Sequence, residues 1–456
     1  MKGDFSRLTF DPKKHFSRVL QQQGRVQLDA DWNEQSAILL HYLQTLAGDL
    51  IGDHGGPKDD VDGKIVKRKK LGFDLITDPK AIDNFSELSE QEKKLLQEKL
   101  GSLTANGPFL IGKGRYYVDG LLAEVDDFYG FYQQPDYPWE KDKTLEKGFH
   151  LIYLDVWERH ITSFEDESIR EVALNGADTA SRAQLVWQVK AFKVDDSLGE
   201  SASLEKDLDF VGKELQPKNR GRLKVQAKQD QANNEPCIIA PQSTYRGLEN
   251  QLYRVEVYGE DVEHPFKFKW SRDNASIVTG AKLVGSVLKV DDPRGFSPGQ
   301  WVEMTNDDQE KLGLSGVHLK IKSIEENELT LSPHENEKNL PAIGFTPTKA
   351  RRWDGAEIII EESRWLKLAD GISIEFQPAD EGEVIHYRTG DYWLIPARTA
   401  TANIEWPTGA AKPPFGVEHH YAPLALINIQ DQKVASNVDL RKVFSELAIP
   451  ISKLKK

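Results

Sequence analysis

The segment closest to a known catalytic motif is residues 295–299 (GFSPG), which fit the G-x-S-x-G pattern of serine hydrolases. In that motif a helix follows the nucleophilic serine, and the backbone N–H after the serine helps to form the oxyanion hole. Here Pro298 has no N–H to donate, and the following residues predict a strand. We therefore interpret the segment as a Pro-Gly turn between two strands.

A second short group of residues could bind calcium. Asp29, Asp31 and Asn33 have the spacing of the first ligands of a calcium-binding loop, but Glu34 and Leu40 stand where the loop needs glycine and glutamate. The same residues suit a helix start, with Asp31 as the N-cap and Glu34 three residues further on. The capping interpretation is the one we favour.

Residues 418–420 (EHH) could be read as metal ligands. Neighbouring residues on a strand point to opposite faces, so His419 and His420 would make a poor chelate. No H-E-x-x-H motif occurs in the sequence, and the remaining histidines are scattered. We predict neither a metal site nor a cofactor.

Sugar chemistry is the fourth possibility. Carboxylate pairs that cleave glycosides cannot be recognised from the sequence among 73 acidic residues. Core packing and interface anchoring are the more common roles of tryptophans in β proteins. The tryptophans that could stack on sugar rings are Trp353, Trp365, Trp393 and Trp406. No catalytic residue is assigned, and we predict that the protein is not an enzyme.

The elements that would position these residues begin with helices. The first helix is predicted to end near Gly52, and a second is predicted over 89–100, with Ser89 and Glu92 as a capping box and Gly101 as its stop. Tyr42 lies beside the apolar stripe of the first helix. The stripe itself comprises Trp32, Leu39, Leu43, Leu46 and Leu50.

After Gly107 the pattern is typical of β structure. Asp119-Gly120 predicts a type I′ hairpin turn, because both central residues must adopt positive φ. Strands are predicted near 150–157, 184–194, 252–258, 266–270, 287–290, 300–304, 318–321, 329–331, 358–360, 372–376, 392–395 and 424–427, with long loops at 53–85 and 196–236. The fold class that follows is mainly β with an N-terminal helical segment (α+β), built from several antiparallel β-sandwich or barrel modules.

The pattern divides the chain into six consecutive parts. They are an extended docking arm at 1–30, a helical segment with a long charged loop at 31–105, a β-rich domain at 106–282, a small inserted β-barrel or sandwich module at 283–348, the β-rich completion of the main domain at 349–446, and a basic tail at 447–456.

Composition excludes several function classes. A net charge of −14 over 456 residues argues against a general nucleic-acid binder, because phosphates repel an acidic chain. The densest basic run, Lys64 with residues 67–70, is interpreted as a solvated loop. The sequence contains no stretch of about 18 apolar residues, so no membrane span is predicted. Cys237 is the single cysteine, so an intrachain disulfide is impossible and folding in a reducing cytoplasm is expected.

The first 30 residues lack the apolar run of a signal peptide and predict an irregular arm. Two interpretations remain open: the arm packs on its own domain, or it reaches a neighbouring subunit. Apolar anchors and arginine donors spread along a non-periodic segment suit docking into another surface. The candidate docking residues are Phe5, Arg7, Phe10, Phe16, Arg18, Val19, Leu20, Arg25 and Trp32.

The leader, KGDFSR at 2–7 followed by QQGRVQLDADWNEQ at 22–35, resembles the opening of a bacterial family of phage-tail-like proteins associated with contractile injection systems. These particles drive a tube through a target envelope. The resemblance continues along most of the chain, at 115–120, 151–159, 169–174, 268–276 and 352–355.

The resemblance implies a structural role in a tail-like particle, as a baseplate, peripheral or cap-associated subunit. The implied partners are sheath, tube or baseplate proteins, with multiple copies per particle, no nucleic acid and no direct membrane span. We expect assembly in the bacterial cytoplasm, the finished particle being cytoplasmic, membrane-anchored or released. The alternatives are a glycan-binding or glycan-cleaving tail-associated protein and a cargo effector.

Overall fold

The computed structural model describes residues 1–58, 71–78, 80, 88–101, 107–137, 144–194, 219–227, 245–259, 265–333 and 344–445. The chain is mainly β, with 42% strand and 15% helix, and contains several sheets, a six-stranded barrel and an N-terminal helix. The predicted fold class is confirmed. The basic run at 64–70, Cys237 and the tail at 447–456 lie outside the described residues.

The helices and strands are numbered in chain order. The helices are α1 (Asp29–Ile51), α2 (Glu90–Gly101) and α3 (Asp307–Lys311). The strands are β1 (His54–Pro57), β2 (Leu75–Ile76), β3 (Leu110–Ile111), β4 (Gly114–Val118), β5 (Leu121–Val125), β6 (Tyr129–Gly130), β7 (Gly148–Ile161), β8 (Arg182–Lys193), β9 (Leu223–Ala227), β10 (Gln251–Tyr258), β11 (Lys267–Ser271), β12 (Val278–Val284), β13 (Val287–Val290), β14 (Trp301–Thr305), β15 (Val317–Glu325), β16 (Glu328–Ser332), β17 (Lys349–Trp353), β18 (Gly355–Ile359), β19 (Trp365–Lys367), β20 (Ile372–Phe376), β21 (Tyr392–Arg398), β22 (Asn403–Ile404), β23 (Ala411–Lys412), β24 (His419–Gln430), β25 (Lys433–Asp439) and β26 (Val443–Phe444).

The chain forms two compact units, each built from three separate stretches. Unit 1 comprises Met1–Ala37, His160–Arg182 and Pro217–Val417. Unit 2 comprises Ile38–Arg159, Ala183–Gln216 and Glu418–Lys456. The predicted boundaries at 105/106 and 282/283 do not coincide with the unit boundaries. Long-range strand pairing is the reason, since β24 pairs with β7 across more than 250 residues of sequence.

Unit 1 contains two sheets around one core. The five-stranded sheet has the order β18-β11-β10-β21-β22, and the four-stranded sheet has the order β19-β20-β9-β23. Alternation along β9 and β20 places every second side chain in the core, as the pleat requires. Val255 and Trp393 from the first sheet share an apolar cluster with Val225 and Ile374 from the second. This burial stabilises unit 1 as a β-sandwich-like module.

A closed barrel is inserted into unit 1. Its strand order is β12-β13-β16-β15-β14-β17, and its interior is filled by apolar side chains such as Leu288, Val302 and Leu319. The barrel strands run from β12 to β17, slightly beyond the predicted module at 283–348. The strands on either side of the insertion, β11 and β18, are hydrogen-bonded neighbours in the five-stranded sheet.

Unit 2 is built on sheets with the orders β25-β24-β7-β8, β26-β1-β4-β5 and β2-β3-β6. The β4–β5 hairpin confirms the turn prediction, with φ of 47° at Asp119 and 78° at Gly120. The capping box of α2 is also confirmed: Ser89 N donates to Glu92 Oε2 (2.7 Å), and Glu92 N donates to Ser89 Oγ (3.3 Å). Local rules therefore located both features.

Three local predictions were wrong. Helix α1 begins at Asp29, so Asp31 lies in its first turn and is not the cap. The segments predicted as loops contain the buried strand β1 and the strand β9. The His-Gly-Gly-Pro sequence of β1 lacks ordinary strand formers, yet a side chain at Gly56 would collide with Leu71 and Tyr116. Close packing, and not propensity, selects a strand there.

In the part of the chain that the structure describes, every helix is too short or too polar to span a lipid bilayer.

Candidate functional site: the N-terminal segment and the charges beneath it

Residues 1–7 pack onto unit 1 of their own chain. The amino group of Met1 donates to Tyr392 Oη (2.7 Å). Arg254 Nη1 donates to the carbonyl of Met1 (3.1 Å), and Asn274 Nδ2 donates to the carbonyl of Gly3 (2.9 Å). Side chains of unit 1 thus hydrogen-bond to backbone groups that no strand pairing covers.

Two candidate docking residues belong to this packed segment. Phe5 packs against the cluster of Leu252, Tyr392 and Leu394. Arg7 Nη1 lies 3.2 Å from both carboxylate oxygens of Glu405. Phe5 and Arg7 therefore contact unit 1, and the interpretation of an arm packed on its own domain applies to this part of the leader.

The leader is also held by hydrogen bonds to the first residues of α1. Ser6 N donates to Asp29 Oδ2 (2.9 Å), and Val19 N donates to Gln35 Oε1 (2.8 Å). Thr9 Oγ1 donates to Glu34 Oε2 (2.6 Å). Asp29, a candidate calcium ligand, and Glu34, the third residue after the predicted cap, thus accept hydrogen bonds from the leader.

Exposure divides the remaining docking candidates. Phe16 is 54% exposed, Leu20 is 70% exposed and Trp32, on α1, is 62% exposed. Arg18 and Arg25 are exposed as well. Phe10 and Val19 are half-buried. Val26, which the sequence analysis did not select, is 82% exposed. Residues 8–28 therefore present apolar groups and cations to the solvent.

A buried cluster of charges lies beneath residues 1–3. Glu256 accepts from Arg254 Nε (2.6 Å), and its other oxygen lies 3.1 Å from the ammonium of Lys2 and 3.3 Å from that of Lys269. Lys269 also pairs with Glu303 (2.5 Å). Each carboxylate contacts at least one cation, which is the arrangement that makes burial of charge tolerable.

Electrostatics keeps this cluster ionised. Burial by itself would raise the pKa of Glu256, but Lys2, Arg254 and Lys269 outweigh it and lower the pKa below its ordinary value. The pKa of Glu303 is also low, because Lys269 and Lys2 outweigh burial. Carboxylates held in this way are poor proton acceptors, since a general base needs a pKa near the working pH. The cluster is suited to fixing the first residues in place.

Imidazole and indole groups complete the cluster. His318 Nε2 lies 3.3 Å from Lys269 Nζ, and burial lowers the pKa of His318, with Lys269 acting in the same direction. Trp353 Nε1 donates to Glu303 Oε2 (2.8 Å), and the Lys269 ammonium lies 4.7 Å from the centroid of the Trp353 ring. The indole therefore stabilises both the anion and the cation of this pair.

Among the described residues, one group of three carboxylates is close enough to hold a metal ion. Oxygens of Glu165, Asp307 and Glu310 all lie within 4.8 Å of one another. The ammonium of Lys349 is 2.7 Å from Glu165, 2.7 Å from Asp307 and 2.9 Å from Glu310. It sits where a bound cation would contact the three oxygens. We interpret the group as a lysine-centred salt bridge.

The pKa directions at Lys349 agree with this interpretation. Burial would lower the pKa of Lys349, but Glu310 and Glu165 outweigh it and raise the pKa. Burial would raise the pKa of Glu310, but Lys349 and Arg351 outweigh it and lower the pKa to about 2. Lysine and carboxylates stabilise each other in their charged forms.

The other motifs are accounted for by packing and turns. Gln300 N donates to Ser297 O (3.2 Å), and β14 follows, so residues 295–299 form a turn between strands. His419 Nδ1 lies 2.7 Å from Asp155, whereas His420 Nδ1 lies 2.9 Å from Asp119. The two histidines thus contact different carboxylates and do not converge.

The four tryptophans considered for sugar stacking differ in their exposure. Trp353 and Trp393 are buried in the barrel strand β17 and in the sandwich core. A buried indole ring offers no face to a ligand. Trp406 is partly buried against the sandwich core, and Trp365 is 40% exposed.

The sequence analysis missed the buried charges. Arg254 and Glu256 alternate with apolar residues of β10, and Lys269 lies between Phe268 and Trp270 of β11. Alternation of this kind normally predicts that the charged side chains face solvent, so the pattern gave no signal of their burial. The partner on another strand was not predictable from spacing.

The fold and the packed leader define a mainly β protein of several modules, with an anchored N-terminal segment. The chain belongs to a family of unknown function (DUF6519), whose model matches residues 1–220 and 216–438. Neither the curated proteins nor the solved structures contain a significant match to the chain.

Proposed function

We propose that this protein is a structural or assembly component of a phage-tail-like contractile injection particle and acts through protein–protein interfaces. The resemblance of the leader to tail-like proteins suggests the particle. The observation that carries the interface role is the contrast within the leader, where residues 1–7 are anchored on unit 1 and residues 8–28 present Phe16, Leu20 and Val26 at 54–82% exposure.

Exposed apolar side chains on an anchored segment suit a docking surface. A segment whose backbone is already held loses less conformational entropy when a partner binds than a free tail does. Arg18 and Arg25 add donors that can pair with carboxylates of a partner. The expected neighbours are baseplate, sheath or tube subunits, and assembly takes place in the bacterial cytoplasm.

The first test is sedimentation of particles from cells that carry Phe16→Asp and Leu20→Asp together. We expect the unmodified chain to co-sediment with sheath and tube proteins and the variant to remain in the free fractions, because a charge in an apolar contact must be desolvated. Val172→Asp with Leu174→Asp is the matched control, since these two side chains are 87% and 62% exposed but lie outside the leader.

Two outcomes would contradict the proposal. If the unmodified chain stays in the free fractions while intact particles lack it, the protein is not a component of the particle. If it co-sediments but resists protease until the tube is opened, it is cargo carried inside the tube. A position on the outside of the particle, accessible to protease, is the expected result.

A further inference from the structure

Helix α1 presents its apolar stripe to solvent. The exposed fractions are 54% for Leu39, 63% for Leu43, 56% for Leu46 and 57% for Leu50. Leu40 at 48% and Tyr42 at 53% flank this stripe. All six residues belong to unit 2. The leucines of an ordinary surface helix face the core of its own domain, whereas those of α1 face the solvent.

The inner face of α1 shows what holds the helix in place. Ile38 is buried at 1% exposure. The backbone of Gln44 lies against Gly120 at the hairpin turn, where a side chain on the glycine would find no room. Ile51 lies beside Gly55. Ile38, Ile51 and the backbone at Gln44 supply this packing, and the leucine stripe remains exposed.

The spacing of the stripe suits packing against a second helix. Leu39, Leu43, Leu46 and Leu50 follow one another at intervals of four, three and four residues. These are the d, a, d and a positions of a heptad repeat, whose side chains fit between the side chains of a second helix. Trp32, seven residues before Leu39, occupies the preceding d position. We call Leu39, Leu43, Leu46 and Leu50 the α1 seam.

The α1 seam is compatible with itself in charge. Helix α1 contains four acidic residues and no lysine or arginine, and three of the acids lie in its first six residues. Between Leu39 and Leu50 the single charge is Asp49, at the edge of the seam. Pairing two copies in opposite directions keeps the acidic ends apart and opposes the helix dipoles favourably.

The exposed area matches a pair of helices. Six side chains with roughly 100 Å² of exposed apolar surface each give on the order of 1,200 Å² from two copies, the lower end of the range of specific interfaces. The share of one copy, about 600 Å², is at the upper end of the largest apolar patch on a typical monomer, and such patches are often binding sites.

We propose that the α1 seam binds the α1 seam of a second copy of this chain, and that the two helices pack in opposite directions. This inference rests on the proposed function only for its role in the particle, where it supplies the contact between copies. The contact itself is a property of the purified chain.

The test is sedimentation equilibrium of the purified full-length chain over a series of concentrations. We expect a dimer at micromolar concentration for the unmodified chain. Leu43→Asp with Leu46→Asp should raise the dissociation constant by roughly 100-fold, because two charges would be buried against leucines. Leu43→Met with Leu46→Met should leave the dimer intact, because the apolar surface remains.

The control is Leu248→Asp, which places the same charge at a leucine that is fully exposed outside α1. It should leave the dimer unchanged. A circular dichroism spectrum identical to that of the unmodified chain shows that the aspartate variants are folded. A monomeric unmodified chain at every concentration would overturn the inference, and so would a dimer that the two seam aspartates leave intact. The two proposals can fail separately. If the purified chain is monomeric but still co-sediments with particles, the dimer inference fails and the proposed function stands.

Discussion

The two halves of the leader contain the same kinds of residue in opposite environments. Residues 1–7 lie against unit 1, where Arg254 and Asn274 hold their backbone and Glu256 holds the Lys2 ammonium. In residues 8–28, by contrast, Phe16 and Leu20 remain exposed. The contrast shows that the receiving surface, and not the composition of the segment, decides which part becomes structural.

The largest expected effect comes from removing the charge beneath the anchored half. Glu256→Gln leaves Lys2, Arg254 and Lys269 close together without their shared anion. We expect a loss of about 3–5 kcal/mol in the free energy of unfolding, measured by urea titration. The same substitution at Glu405, which pairs with Arg7 at the surface, should cost less than about 1 kcal/mol. Equal effects at the two sites would remove the distinction between a buried and a superficial anchor.

The second effect is a dependence on pH. Burial lowers the pKa of His160, whose ring lies beside Phe5, to about 3, and Arg351 and Arg254 act in the same direction. In the unfolded chain the pKa is about 6.5, so only that state gains a proton as the pH falls below 6.5. The contribution of His160 to the free energy of unfolding is therefore fully present above this pH. It decreases below it, by about 1–2 kcal/mol at pH 5.

His160→Gln should reduce this decrease between pH 7 and pH 5, as measured by urea titration at each pH. It should not abolish it, because burial also lowers the pKa of His54 and His318, which lose stability in the same window. Carboxylates with a low pKa, such as Glu256 and Glu303, lose their contribution only below about pH 4.5 and do not act in this window. An unchanged pH profile in the variant would show that His160 is accessible to protons in the folded chain.

The smallest expected effect concerns the exposed half. Phe16→Ser and Leu20→Ser should each change the free energy of unfolding by less than about 0.5 kcal/mol, because neither side chain loses a buried contact. Phe5→Ser, in the anchored half, should cost more than either, because it empties a contact with Leu252 and Leu394. Thermal midpoints of the three variants compared in one buffer test the ranking.

Local features were predictable because the rules that produce them are local. The hairpin at Asp119-Gly120 and the Ser89–Glu92 box each depend on four or five consecutive residues. The start of α1 was misplaced because Asp29 and Glu34 accept hydrogen bonds from the leader, a contact between separate segments. The division into two units depends on pairing between distant strands, so it could not be predicted from local sequence patterns either.

The leucine stripe of α1 shows what periodicity can and cannot reveal. Trp32, Leu39 and Leu43 fall on one face of the helix, as the spacing predicts. The same spacing arises whether that face is covered by the chain's own core or by another molecule. Exposure in the folded chain was needed to distinguish the two. The buried ion pairs could not be predicted for a different reason: Lys269 and Glu303 come from distant strands and are in contact only in the folded chain.

The position of the barrel also bears on whether it can be exchanged. Because β11 and β18 are adjacent, the ends of the insertion lie close together, and a short turn could replace about 80 residues without parting the host strands. Glu303 and His318, however, come from the inserted strands, and they surround Lys269 of the host. Excising the barrel would remove both of these side chains from around Lys269. A viable graft must therefore bring its own anion to the same place.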